Sequence, residues 1–152
     1  MCIRDSIHTS CVTSPNSEIQ DNNEQGVSIR DSSNVDVTRS TISGNSRGIE
    51  SNRGATCTAL NATITNNDFD GVLVQYGGTA SVSGATISGH TNNISVLHGG
   101  TVDAVNCELS SAQFFDVLCN YSGHIDVENA TYTTISPAIN TVGNGNASVS
   151  DN

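Results

Sequence analysis

Residues 39–45 read Arg39-Ser40-Thr41-Ile42-Ser43-Gly44-Asn45. Residues 61–67 and 84–90 repeat that line as Asn61-Ala62-Thr63-Ile64-Thr65-Asn66-Asn67 and Gly84-Ala85-Thr86-Ile87-Ser88-Gly89-His90. The central isoleucines, Ile42, Ile64 and Ile87, stand 22 and 23 residues apart, and the column continues to Ile19 on one side and to Leu109 and Tyr132 on the other. A fixed period of this length marks a repeat architecture, in which one unit cannot bury its apolar face alone and stacks on the next.

Further columns keep the same period. One holds Val27, Ile49, Val72, Ile94, Val117 and Ile139, and the residues just before it are Gly26, Gly48, Gly71, Asn93, Asp116 and Ala138. Another holds Val35, Cys57, Ala80, Val102, Ile125 and Ala147, followed two residues on by Val37, Ala59, Val82, Ala104, Val127 and Val149. A fifth holds Ser17, Ser40, Ala62, Ala85, Cys107 and Ala130. Apolar pairs at i and i+2 put both side chains on one face of a strand. Each unit therefore predicts three short strands, near 35–37, 40–42 and 49–51, separated by Gly, Asn and Ser turns. If one unit is one turn of a coil, equivalent residues stack about 4.8 Å apart as parallel strands, and about six coils make a rod roughly 29 Å long.

Composition alone is ambiguous. The chain has 152 residues and a formal net charge of −10. Asn, Ser and Thr number 55, whereas Leu, Ile, Val and Phe number 34 (about 22%), close to the level at which a chain stays disordered. Of those 34, however, 26 are Ile or Val, which favour strands. Recurrence every 22–23 positions lets each inward column be shared along the coil, so the thin core suffices. Five Arg and no Lys face 15 carboxylates, which excludes a basic nucleic-acid surface. No run of about 20 apolar residues is present to span a membrane.

These columns, with the small-x-Ile and Gly-Ile/Val lines, resemble the right-handed parallel β-helix of pectate-lyase-like proteins from about Val12 to Asn152. The resemblance implies an all-β, single-stranded solenoid. An asparagine ladder fits it: Asn22, Asn45 and Asn67 share a column three residues after the isoleucines. His90 continues this column and Ala112 and Ile135 do not, which predicts a changed turn near Ala112. Residues 1–11 are set apart as a non-native or irregular segment. Met1-Cys2-Ile3-Arg4-Asp5-Ser6 back-translates to codons resembling a transposase-type sequencing adapter. Residues 12–152 are expected to be a β-helix fragment uncapped at both ends, which leaves a signal peptide unassessable.

Candidate chemistry falls in three places. Asp103 and Asp126 are outward residues on neighbouring coils, with Glu128 two positions further on. Close like charges raise one pKa and suit acid/base work on sugars or calcium binding, although a solvated strand face with tolerated repulsion is the simpler explanation. Leu73, Leu97 and Leu118, with the corner column Tyr76, His98 and Tyr121, form a candidate ligand or partner surface, or a stack that shields the corner. Cys57, Cys107 and Cys119 fall in inward columns as small core residues, and no pair has zinc-ligand spacing.

Polysaccharide lyases of this fold use a basic residue near calcium, but here every Arg precedes residue 54. The Asp-Asp pairs of pectin hydrolases are absent as well. The fragment therefore leans away from catalysis, with no cofactor expected unless calcium. In style the Gly-Gly-Thr and Ser-Gly-His lines resemble β-helical shafts of bacteriophage tail fibres and tailspikes. That resemblance implies attachment to host-surface polysaccharide, a homotrimer, and a location on the virion tail or cell surface. The alternatives are a lyase or glycoside hydrolase and a bacterial surface or secreted β-helix adhesin.

Overall fold

The computed structural model describes residues 7–8, 11–133 and 138–150. The chain winds through three parallel sheets in turn. Sheet A holds Ile7–His8, Gln25–Arg30, Arg47–Asn52, Asp70–Gln75, Asn92–Val96, Phe115–Asn120 and Ile139–Val142. Sheet B holds Cys11–Thr13, Asn34–Asp36, Thr56–Thr58, Thr79–Ser81, Thr101–Val105, His124–Glu128 and Asn146–Ser150. Sheet C holds Glu18–Gln20, Thr41–Ser43, Thr63–Thr65, Thr86–Ser88, Glu108–Ser110 and Thr131–Tyr132. This is the β-solenoid that the repeat predicts. Its pairing reaches back past residue 12, because Ile7 pairs with Ile29 and Cys11 with Asn34. Among the described residues no helix is long and apolar enough to cross a membrane.

The sequence columns are the register of the sheets. Ile42 pairs with Ile64, Ile64 with Ile87, and Ile87 with Leu109. Val72 lies between Ile49 and Ile94 in sheet A, and Val102 lies between Ala80 and Ile125 in sheet B. β-Branched side chains point inward from all three sheets and close a continuous core along the axis. Ile19, Ile42, Ile64, Ile87 and Ile94 are completely buried. Burying one such side chain contributes roughly 1.5–3 kcal/mol.

The corner from sheet C to sheet A carries the ladder. Asn45 Oδ1 accepts from the Asn22 backbone N–H at 3.0 Å and from its Nδ2 at 2.8 Å. Asn67 Oδ1 accepts in the same way from Asn45, at 3.0 Å each. His90 then takes the place of an amide: its Nδ1 accepts the Asn67 N–H at 3.1 Å, and its Nε2 donates to the Ile64 carbonyl at 3.0 Å. These partners assign a neutral imidazole protonated at Nε2. Burial lowers the pKa of His90 below its ordinary value, against the opposing pull of the Ile64 and Asn67 carbonyls and of Asp70.

The glycine column is explained by the ladder. A Cβ on Gly26 would lie 2.8 Å from Asn45 Nδ2, and one on Gly71 would lie 2.6 Å from the His90 ring. In the next coil the facing ladder position is Ala112, and there Asn93 replaces glycine. Its Nδ2 donates to Asp116 Oδ1 at 2.6 Å and to the Ser110 carbonyl at 3.0 Å. The turn near Ala112 thus changes by moving the amide to the other column. Ile135 lies outside the described residues.

Candidate ligand-binding face

The corner from sheet A to sheet B is built from two successive residues with positive φ. Tyr76 and Gly77 have φ of 50° and 73°, His98 and Gly99 have 48° and 76°, and Tyr121 and Ser122 have 50° and 62°. Hydrogen bonds from Gly78 N to Gln75 O (3.1 Å) and from Gly100 N to Leu97 O (2.9 Å) close the turns. Two positive φ values define the primed turn class. Holding a bulky L-residue there costs roughly 1–2 kcal/mol.

That backbone aims three rings outward in one column. His98 stacks on Tyr76 with centroids 4.8 Å apart and planes 11° from parallel, and on Tyr121 at 5.0 Å and 10°. Both tyrosines remain more than half exposed. The inner ring faces cover one another, so the stack offers its polar edge and its two end faces. At one end the next corner residue is Gly143, where a built Cβ would lie in van der Waals contact with the Tyr121 ring, at 3.5 Å. Gly143 itself adds no side chain against Tyr121, which is 57% exposed.

Beside this corner lies the outer face of sheet A, whose strands reach six residues. Its middle column runs Ser28, Glu50, Leu73, Ser95 and Leu118 in register. Ser28, Glu50, Leu73 and Ser95 are all buried, although their side chains alternate with the core positions. Leu73 is therefore recessed and offers no exposed apolar surface, while Leu97 and Leu118 are half-buried. The strip is framed on one side by the Tyr76–His98–Tyr121 corner and on the other by the exposed rings of Phe69 and Phe114.

The sequence reading singled out neither phenylalanine as a surface ring, nor Arg47 beside Phe69. Arg47 holds its guanidinium carbon 5.6 Å from the centre of the Phe69 ring and donates from Nε to Asp70 at 3.3 Å. The signal lay in the column Gln25, Arg47, Asp70, Asn92 and Phe115, whose members share no residue type and so do not stand out as a repeat.

On sheet B, Asp103 and Asp126 are register partners, as their spacing required, and both are exposed. Glu128 is half-buried two residues on, on the same strand. Among the described residues no group of three or more His, Cys, Asp or Glu side chains converges as a metal site. Cys57, Cys107 and Cys119 are free thiols in the core. Burial pushes Cys57 up to about 12 and Cys107 up to about 11, so neither is a nucleophile at neutral pH.

A comparison with curated proteins gives no match. The profile of a family described as a right-handed β-helix region matches residues 8–87, more than half of the 152 residues, and the same parallel register continues to Ser150. The chain belongs to the right-handed β-helix family.

Proposed function

We propose that this chain is a β-helical segment of a tail-fibre- or tailspike-like protein that attaches to host-surface polysaccharide, on a virion tail or at a cell surface. The observation that carries this reading is the Tyr76–His98–Tyr121 stack. Three rings are held outward on a strained turn, where residues less costly in that backbone would serve a purely structural corner. Tyrosine presents both an apolar face for a sugar ring and a hydroxyl for its polar edge. The acidic balance of the chain opposes nucleic acid as the ligand.

The test is glycan binding by the intact chain and by Tyr121→Ala and Tyr76→Ala variants. Loss of binding in Tyr121→Ala, which removes the more exposed ring of the stack, with a smaller loss in Tyr76→Ala, is the expected result. Equal binding by all three would remove the basis of the reading. Light scattering tests the trimer that the reading includes.

The register pairing of Asp103 with Asp126 favours one other reading, a carbohydrate-active enzyme. Adjacent strands stand about 4.8 Å apart, which lets two outward carboxylates face one substrate. Release of reducing ends or unsaturated products, abolished by Asp103→Asn or Asp126→Asn, would establish it.

A further inference from the structure

The outer face of sheet A carries a polar cluster used by neither the aromatic corner nor the acidic strip. Glu50 is its centre, only 5% exposed although it faces away from the core. Its carboxylate accepts from Gln25 Nε2 at 3.0 Å and from Asn52 Nδ2 at 3.3 Å. Arg30 Nη2 and Arg47 Nη1 each lie 3.8 Å from it. Those two contacts are longer than hydrogen bonds, so both guanidinium groups keep donors for another partner. Asp70, bound by Arg47, also accepts from Ser95 Oγ at 2.5 Å and from Asn92 Nδ2 at 3.3 Å.

Three polar atoms of this cluster are shut off from solvent and have no partner: Ser28 Oγ, Arg30 Nε and Asn52 Oδ1. Ser28 is 3% exposed and is the register partner of Glu50. Buried polar atoms are nearly always paired in native proteins. Three unpaired ones around a single carboxylate, on a face the core does not need, mark a place that admits a polar guest.

Charge selects the guest. Arg30 and Arg47 balance Glu50 and Asp70, so an anion meets two carboxylates and a cation meets two guanidinium groups. A neutral group that both donates and accepts satisfies the set. Vicinal hydroxyls of a sugar do so, donating to Glu50 and Asn52 Oδ1 and accepting from Arg30, Arg47 and Ser28. The half-exposed Phe69 ring stands beside Arg47 to take an apolar sugar face.

We propose that Arg30, Arg47, Glu50 and Phe69 form a subsite for one neutral pyranose unit of a glycan. Entry swings aside the two arginine side chains, each about one-third exposed. This rests on the reading of the rod as a glycan-attachment element, but it uses different residues on a different strip, so the two can fail separately.

The experiment is an array of neutral gluco-, manno- and galacto-oligosaccharides and their uronate-bearing counterparts, probed with the intact chain and with Glu50→Gln, Arg30→Gln, Phe69→Ala and Tyr121→Ala. Melting curves and light scattering run in parallel. The expected result is binding to at least one neutral glycan, weakened roughly tenfold or more by Glu50→Gln and by Phe69→Ala without loss of folding. If one of these variants unfolds, Arg30→Gln, at a partly exposed position, supplies the same reading.

Neutral-glycan binding that only Tyr121→Ala weakens overturns the subsite and leaves attachment standing. Binding confined to uronate-bearing glycans overturns the neutral class. Absence of all binding overturns both readings. A change of oligomeric state in Glu50→Gln, with glycan binding intact, reassigns the strip to contact between copies of the chain.

Discussion

His90 is the ladder residue whose chemistry depends on pH. It is buried, neutral and hydrogen-bonded through both ring nitrogens, and its pKa is lowered in the fold. The unfolded chain therefore binds a proton more readily than the native one. The stability from this group is fully present above about pH 6.5 and is lost as pH falls below it. In melting curves across that range, the native chain should lose Tm while His90→Asn, which restores the amide of the preceding coils, should not. Asp36 acts in a lower window. The Thr38 hydroxyl and N–H hold it below its ordinary value, so its contribution fades only on acidification through the carboxylate range. The facing of sheet C is testable at single residues too. Ile87→Ala should cost about 2–5 kcal/mol in denaturant titration. Its half-exposed neighbour Ser88→Ala should stay within about 0.5 kcal/mol.

At the scale of the element, the sheet C to sheet A corner behaves as two interlocked columns. Gly71 is required because the His90 ring and the Asn93 carbonyl fill the space a side chain would take, at 2.6 and 2.7 Å from a built Cβ. The following coil carries the opposite arrangement, Asn93 facing Ala112. Gly71→Asn alone should therefore be strongly destabilising. In a His90→Ala background the same change should cost less, with a coupling of about 0.5–3 kcal/mol in a double-mutant cycle. Additive effects would mean that the two columns do not share that space. The sequence exposed both columns but not their exclusion of one another, because a list of residues does not show that a glycine of one coil faces the ladder side chain of the next. The core, the Asn22–His90 ladder, the Asp103–Asp126 pairing and the stacked corner were legible for a common reason: each is a column of like residues at one period. The Glu50 cluster was not legible. It is assembled from unlike residues on several coils, and its character depends on how long side chains fold over a short one.

For the whole molecule, charge is unevenly spread along the axis. Up to Arg53, five arginines face seven carboxylates, whereas beyond it eight carboxylates face no Lys or Arg. Self-repulsion should therefore be concentrated in the later coils, and screening should relieve it. Tm is expected to rise as sodium chloride is taken from about 0.01 M to 1 M, over which the Debye length shrinks from about 30 Å to 3 Å. Substituting Asp103→Asn and Asp126→Asn together should flatten that rise. A salt-independent Tm would mean that the acidic coils carry no net electrostatic cost. The described corners, finally, are only a few residues long, and their backbone is bonded to the coil on either side. A protease must draw an extended stretch of chain into its cleft, and no such stretch can leave this coil without breaking rungs with both neighbours. Arg39 and Arg53 are exposed at corners, yet trypsin should cut there only at the rate at which whole coils open, so resistance to digestion is set by the winding itself.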